Sequence, residues 1–284
     1  MNSTKITEEI NQNSIDIHKK NIDEILKIFN LEDSKIMDSV KSISAELEKL
    51  IMDVINVFQN NGRLFYVGSG TSGRLGVLDA AECPPTFGTD PSMVQGIIAG
   101  GAKAISQSVE GAEDSFEDEK KNILEKKINN KDIIIGISAS GTTPYVLGAL
   151  EKSKEIGSKT ALIQCNISNK KDYIDHTINV IVGPELISGS TRMKAGTATK
   201  MILNMITTTS MIKINKTHGN IMSDLRIANN KLLNRAINII SKTLLIDKLV
   251  AKEYLTKSNG NIKSAIIMCK YKVSLEEASS MLSK

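Results

Sequence analysis

Two short segments dense in glycine and hydroxyl side chains are where this sequence could first do chemistry. Gly68-Ser69-Gly70-Thr71-Ser72-Gly73 follows the apolar run Leu64-Phe65-Tyr66-Val67. Ser138-Ala139-Ser140-Gly141-Thr142-Thr143 follows Ile133-Ile134-Ile135-Gly136-Ile137. Glycine lets a backbone approach a ligand closely, and the free N–H groups of a turn entering a helix attract an anion. Ser and Thr hydroxyls add donors without the charge or bulk of Lys. The chemistry these loops suit is the holding of a phosphate carried by something small. Neither is a mononucleotide P-loop, because no Lys-Ser/Thr pair follows the glycines. Gly68 to Gly73 has the GxGxxG spacing, but no acidic residue after a second strand clearly completes a dinucleotide site. Strand-to-helix turns rich in Ser for capping would explain one such loop as well as a ligand does, and two of them less well.

Carboxylates stand near both loops in sequence. Glu82 lies in Asp79-Ala80-Ala81-Glu82-Cys83-Pro84-Pro85-Thr86-Phe87-Gly88, after the helix that the first loop opens. Two prolines predict that this helix stops and the chain turns sharply, which leaves Glu82 at a helix C-terminus. There the dipole would raise its pKa if water were excluded. A solvated surface glutamate is the plain alternative. Val109-Glu110-Gly111-Ala112-Glu113-Asp114-Ser115 holds three acids around a glycine. Asp114 or Ser115 could simply cap a following helix. Both segments come after strands, so both could reach one sheet edge, where two carboxylates allow general acid and general base roles. His18, His176 and His218 lack metal-ligand spacing, and Cys83 has no cationic neighbour in sequence to activate its thiol.

Hydrophobic periodicity gives the elements that must position these groups. Apolar residues recur at three- and four-residue spacing from Ser34, a candidate N-cap, to Asn60, and a shorter helix is expected over Ile17 to Phe29. From Arg63 onward short apolar runs alternate with helical stretches. The strands are Leu64–Val67, Ile97–Ala99, Ile133–Ile137, Thr160–Ile163 and Thr177–Val182; the helices are Ala104–Gly111, Ser115–Lys127 and Tyr145–Ile156. That alternation predicts an α/β fold, a parallel sheet flanked by helices on both faces. From Met193 to about Lys257 the pattern is helical again. A break at Ser258-Asn259-Gly260-Asn261 precedes short helices over Ile262–Cys269 and Ser274–Leu282, a small C-terminal helical subdomain. The expected organisation is N-terminal helices over 1–60, the α/β domain over 61–215, a helical extension over 216–257 and the subdomain over 258–284.

Composition narrows the classes. The 284 residues carry 36 Lys and Arg against 32 Asp and Glu, a net charge of +4, and only 4% aromatics, with no Trp. A surplus that small, without rings to stack on bases, argues against nucleic acid as a partner. The core must be aliphatic. Three widely spaced cysteines, Cys83, Cys165 and Cys269, provide neither a disulfide framework nor a thiolate zinc site. The first residues are polar rather than a signal peptide, and no apolar stretch approaches the roughly 20 residues of a membrane helix, so no membrane partner and a cytoplasmic location are expected.

The motifs then become specific enough for a family. The two Ser/Thr-rich loops look like those of the sugar isomerase (SIS) fold, whose members bind phosphosugars. Gly183-Pro184-Glu185-Leu186-Ile187-Ser188-Gly189-Ser190-Thr191-Arg192-Met193-Lys194 and its continuation to Lys200 resemble the signature shared by N-acetylmuramic acid 6-phosphate etherases and the glucokinase regulatory protein. Gly70 to Arg74, Asp79 to Phe87, Glu110 to Asp114, Thr7-Glu8-Glu9, Gly219-Asn220 and Asp224-Leu225-Arg226 also match the etherase pattern. The length suits a single etherase unit, whereas the regulatory protein is about two such units in tandem. His218 stands where the family often has an aromatic.

The resemblance implies cleavage of the D-lactyl ether at C3 of N-acetylmuramate 6-phosphate, by elimination of lactate and then hydration, with no metal or other cofactor. It implies Glu82 as proton donor and Glu113 as the second acid/base, leaving open which of them takes the C2 proton. Thr71, Ser72, Ser138, Ser140 and Thr142 match phosphosugar-contacting positions. Ser190, Thr191, Arg192 and Lys194 carry the signature, either reaching substrate or bracing the loop. The implied partners are a phosphorylated amino sugar and a second copy of the chain, in a homodimer with a shared active site. Two rival readings are an aldose–ketose phosphosugar isomerase, which would not need both glutamates, and a non-catalytic phosphosugar-binding regulator.

Overall fold

The computed structural model describes residues 5–114, 123–217, 219–224, 227 and 230–282. His218, Leu225, Arg226, Ser115 and most of the helix expected over 115–127 therefore lie outside the described residues. The chain divides into two compact units, Met1–Ala81 with Pro91–Ser210, and Glu82–Asp90 with Met211–Lys284.

The first unit is built on a five-stranded, wholly parallel sheet in the order β2-β1-β3-β4-β5. Its strands are β1 (Leu64–Gly68), β2 (Val94–Ile98), β3 (Ile133–Ile137), β4 (Lys159–Gln164) and β5 (His176–Asn179). Every residue of β1 and β3 is buried, the pattern of strands covered on both faces. On one face Phe65, Val67 and Ile134 pack with Tyr145, Val146 and Leu150. The sheet lies where the sequence placed it, and it is flanked by helices. β5 is shorter than expected and β2 begins earlier.

The N-terminal helices depart from expectation. α1 (Ile22–Ser42) starts at a capping box, with the Asn21 side chain accepting from the Glu24 N–H and the Glu24 side chain accepting from the Asn21 N–H. Ser34 caps nothing: it is mid-helix and its hydroxyl donates to the Leu31 carbonyl at 2.8 Å. At Ile43 the chain leaves helical geometry (φ −98°, ψ 12°) before α2 (Ser44–Gln59). The periodic stripe is thus divided between two helices, because periodicity reports which face is buried and not where the axis bends.

α3 (Gly70–Phe87) comes after β1 and corrects the expectation drawn from the prolines. It runs through Pro84 and Pro85 and ends where the Gly88 N–H donates to the Pro84 carbonyl at 2.9 Å. A proline removes one helix hydrogen bond and crowds the carbonyl four residues back, yet the chain continues in helical form to Phe87. Glu82 is consequently inside the helix rather than at its C-terminus. α4 (Lys103–Ser106) is one turn, shorter than the expected Ala104–Gly111, and a 3₁₀ turn covers Ala112–Asp114. α5 (Pro144–Glu155) follows β3 with Pro at its first position. α6 (Lys194–Lys213) completes the unit, and Asp79 ties α3 to it, standing between the Tyr66 hydroxyl at 3.1 Å and the Thr207 hydroxyl at 3.3 Å.

In the second unit, α7 (Asn230–Leu244), α8 (Lys248–Lys257), α9 (Ile262–Tyr271) and α10 (Leu275–Leu282) are the helices, and a core of Ala236, Ile240, Ala251, Leu255, Ile262 and Ala265 joins the first three. The helical stretch expected up to Lys257 is interrupted by positive φ angles at Asn215 and Leu245. Segment 82–90 belongs to this unit because Gly88 lies against the Asp224 carbonyl, which a Cβ there would meet at 2.0 Å. Among the described residues no helix is long and apolar enough to cross a membrane.

Candidate functional site

The strand order reverses between β1 and β3, which are neighbours paired from Leu64↔Ile133 to Gly68↔Ile137. Beyond their carboxyl ends lie the two loops singled out in the sequence. Open α/β sheets bind ligands at this position, where connections leave in opposite directions and the loops part.

The first loop is made by close backbone contact. A Cβ on Gly68 would sit 2.6 Å from the Gly73 nitrogen, and one on Gly73 would sit 2.6 Å from the Gly68 carbonyl oxygen and from an Ile98 side-chain carbon. Only a pair of hydrogens fits between them. Gly73→Ala therefore forces the first turn of α3 away from β1; the expected cost is about 1–3 kcal/mol, read as a lower midpoint in chemical denaturation. Thr71 and Ser72 are half-buried in that turn. The second loop is organised by Ser138, which is buried. Its hydroxyl oxygen accepts from the Gly141 N–H at 3.1 Å and lies 2.8 Å from the Thr143 hydroxyl and 3.3 Å from the Ser140 hydroxyl. Gly141 has φ +71°, and a Cβ there would meet the Gln164 side-chain oxygen at 1.9 Å. Ser140 is half-buried, whereas Thr142 is exposed and donates to Ser140.

Glu113 is brought to the first loop. Its carboxylate accepts from the Ser69 hydroxyl at 3.3 Å, beside a cavity of about 130 Å³ lined by Ser69, Gly70, Arg74, Glu110 and Glu113. Arg74 holds this segment by donating to the carbonyls of Ile105 at 3.1 Å and Gln107 at 3.0 Å. Glu110 accepts from Ser108 at 3.1 Å. Glu113 and Asp114 are exposed in the 3₁₀ turn. Glu82 is exposed on α3 and falls in the second unit. Cys83, beside it, is buried.

The signature segment precedes α6. Ser190 and Thr191 are half-buried, Arg192 is exposed and Lys194 is turned inward, 2% exposed, with its ammonium 2.6 Å from the Glu32 carboxylate of α1. Burial pushes the Glu32 carboxyl up, but hydrogen bonds from Lys194, Lys35, Asn13 and Asn11 outweigh it and hold the group down at about 2. Glu185, fully buried, accepts from the N–H groups of Lys194 at 3.0 Å and Ala195 at 2.9 Å, so a protein carboxylate occupies the α6 N-terminus. Burial raises the Glu185 pKa above its ordinary value despite those donors. Thr71 is also near: a Cβ on Gly196 would lie 3.5 Å from its methyl.

Similar proteins include several described as N-acetylmuramic acid 6-phosphate etherases. It is 47% identical over 281 residues to the N-acetylmuramic acid 6-phosphate etherase of Clostridium acetobutylicum, covering 97% of this chain and 92% of that one. The Bacillus cytotoxicus protein of the same name is 46% identical over 276 residues, 95% and 94% of the two chains. The chain belongs to the N-acetylmuramic acid 6-phosphate etherase family. Residues 46–154 also match the family model described as the glucokinase regulatory protein N-terminal SIS domain. A solved structure of an E. coli CFT073 protein is similar in fold, with a TM-score of 0.51 at 16% identity over 71% of this chain and 97% of that one.

Glu32, Glu185, Ser69 and Arg74 were not singled out for the work they do here, although Ser69, Arg74 and Glu185 lie inside quoted motifs. Glu32 carries no signal in its own segment, where it reads as one more polar position on an amphipathic helix; its partner is far away in the chain.

Proposed function

We propose that this protein cleaves the D-lactyl ether of N-acetylmuramate 6-phosphate, giving N-acetylglucosamine 6-phosphate and D-lactate. The observation that carries the reading is the placement of the Glu113 carboxylate on Ser69 of the first loop, next to the second loop at the switch point of the sheet. Family membership supports it.

An ether is a poor leaving group and does not hydrolyse directly at neutral pH. Ring opening of the sugar exposes the C1 aldehyde, which acidifies the C2 hydrogen. A carboxylate removes that proton, the C3–O bond breaks, and a carboxylic acid protonates the departing lactate oxygen. Water then adds across the double bond, its oxygen to C3 and a proton to C2. In our reading Glu82 donates the proton to lactate and Glu113 is the second acid/base. Thr71, Ser72, Ser140 and Thr142 hold the phosphosugar, with Ser138 shaping the second loop from within. Lys194, held by Glu32, braces the signature segment. Ser190, Thr191 and Arg192 stand at the turn that segment makes.

We further place the enzyme in the cytoplasm, in the recycling of peptidoglycan amino sugars, as a homodimer with a shared active site. A reducing compartment suits its thiols: Cys83, Cys165 and Cys269 are buried and in no disulfide, and burial together with the Glu185 charge pushes the Cys165 thiol up to about 12. Exposed Ile22, Leu26 and Met37 on α1 supply apolar surface for a second copy.

The expected result is release of D-lactate from N-acetylmuramate 6-phosphate by the purified protein, without added metal, monitored by coupled lactate oxidation. Binding of the phosphosugar with no lactate released would instead make the protein a phosphosugar-binding regulator.

A further inference from the structure

Residues 5–19 form a strap of short 3₁₀ turns laid across the first unit. Its polar side chains bond to other segments as well as to itself. The Asn11 amide donates to the Pro184 carbonyl at 3.0 Å, the Ser14 hydroxyl to the Leu186 carbonyl at 2.7 Å and the Asn13 amide to Glu32 at 2.7 Å. From the other side, the Ser188 hydroxyl donates to the Glu8 carbonyl at 2.9 Å and the Gly189 N–H to the Thr7 carbonyl at 3.1 Å.

At its first described turn the strap is clamped to the second loop. Thr7 is fully buried and Asn166 is 3% exposed. The Asn166 amide donates to the Thr7 hydroxyl at 3.0 Å and to the Ala139 carbonyl at 2.9 Å, while its oxygen accepts from the Thr7 N–H at 3.4 Å. Burying such groups is unfavourable unless every partner is supplied, so this clamp defines one position for the chain beside it. Two residues before Thr7, the Lys5 ammonium donates to the Thr142 hydroxyl at 2.7 Å.

That contact places a cation on a loop which otherwise offers only hydroxyls and amides. Two cations of the quoted motifs are committed elsewhere: Arg74 to the carbonyls of Ile105 and Gln107, and Lys194 to Glu32. Arg192 is exposed at the signature turn. The hydroxyls of the second loop are tied largely to one another, which fixes their positions and limits what each can give a dianion. An ammonium has three donors, of which Thr142 takes one.

We propose that Lys5 is a phosphate-binding residue of the second loop, supplied by the strap; this rests on the phosphosugar reading of that loop. A flexible lysine loses rotamer entropy when it binds an anion, and the Thr7–Asn166 clamp reduces that cost by setting the backbone in advance.

The test uses the full chain with Lys5→Met and Lys5→Arg, measuring lactate release against N-acetylmuramate 6-phosphate concentration and its inhibition by inorganic phosphate. Lys5→Met is expected to raise KM about tenfold and weaken phosphate inhibition by a similar factor, the range of one charged hydrogen bond, with the effect on kcat the smaller one. Lys5→Arg recovers most of both, and Tm stays within about 1 °C because the ammonium makes its hydrogen bond at the exposed surface. An unchanged KM overturns the proposal. So does a raised KM with unaltered phosphate inhibition, or a KM that rises only in step with a fall in Tm, which would make Lys5 a tether for the strap. If the unaltered protein binds the phosphosugar but releases no lactate, the etherase reading fails instead, and calorimetric phosphate affinity of Lys5→Met then decides Lys5.

Discussion

Glu82→Gln and Glu113→Gln are each expected to lower lactate release by a factor of about 10²–10⁴ while leaving substrate binding largely intact. The size of the effect comes from the chemistry: without a proton donor the departing oxygen leaves as an alkoxide, and without a base the C2 hydrogen stays in place. Glutamine keeps the shape and a hydrogen-bonding oxygen but can neither release nor take up the proton. At position 113 that oxygen can still accept from Ser69, now 3.3 Å from the carboxylate, so the loop should survive the change. Exchange of the C2 hydrogen in deuterated water separates the two roles. With Glu113 as base and Glu82 as donor, Glu82→Gln retains exchange and loses lactate, whereas Glu113→Gln loses both. The opposite pattern would swap the roles, and near-normal turnover in either variant would remove that residue from catalysis.

Glu32→Gln is expected to destabilise the protein by about 3–5 kcal/mol, because it leaves the Lys194 ammonium buried without its hydrogen-bonded carboxylate partner. Both side chains are 2% exposed and their charged atoms are 2.6 Å apart. Lys35 and Asn13 share the other carboxylate oxygen at 2.6 and 2.7 Å, so the change also weakens two further hydrogen bonds. The expected drop in Tm is roughly 10 °C for a chain of this size. The double variant Glu32→Leu with Lys194→Met should recover much of the loss, since an apolar pair of similar volume leaves neither member of the pair as a buried charge without its partner. A Glu32→Gln protein as stable as the original would show the pair to be dispensable.

The same carboxylate has a pH consequence. Its folded pKa, near 2, lies below the ordinary 4.5, so the folded state binds fewer protons than the unfolded one across that interval. Its stabilisation is complete above pH 4.5 and is lost as the pH falls toward 2. Acid unfolding of Glu32→Gln should accordingly be shallower than that of the unaltered protein over this window.

The layer order and the site loops were legible because their causes are local. Continuous Ile, Leu and Val runs state that a strand is buried on both faces, and glycines with Ser and Thr behind such a run mark a turn into a helix. Helix limits were less legible. Ser34 is a good capping residue, but the Asn21–Glu24 box had already started the helix, and capping reports a preference that an earlier start overrides. Pro84 and Pro85 predicted a turn, yet α3 passes through both, since the loss of two hydrogen bonds near a helix end can be outweighed by the packing of its last residues. Phe87, at that end, is buried.

The sequence by itself determined an aliphatic, parallel α/β protein with two anion-suited loops, an acidic pair and the marks of one enzyme family. Only the tertiary structure decided that the two loops adjoin at the switch point, that Arg74 and Ser69 hold the Glu113 segment, and that Lys194 turns inward to Glu32. It also brought Lys5 to Thr142. Periodicity and turn chemistry act over a few residues, whereas these contacts join segments separated by up to 162 positions in the chain. Their partners are selected by the folded packing, and no pattern within either segment records them.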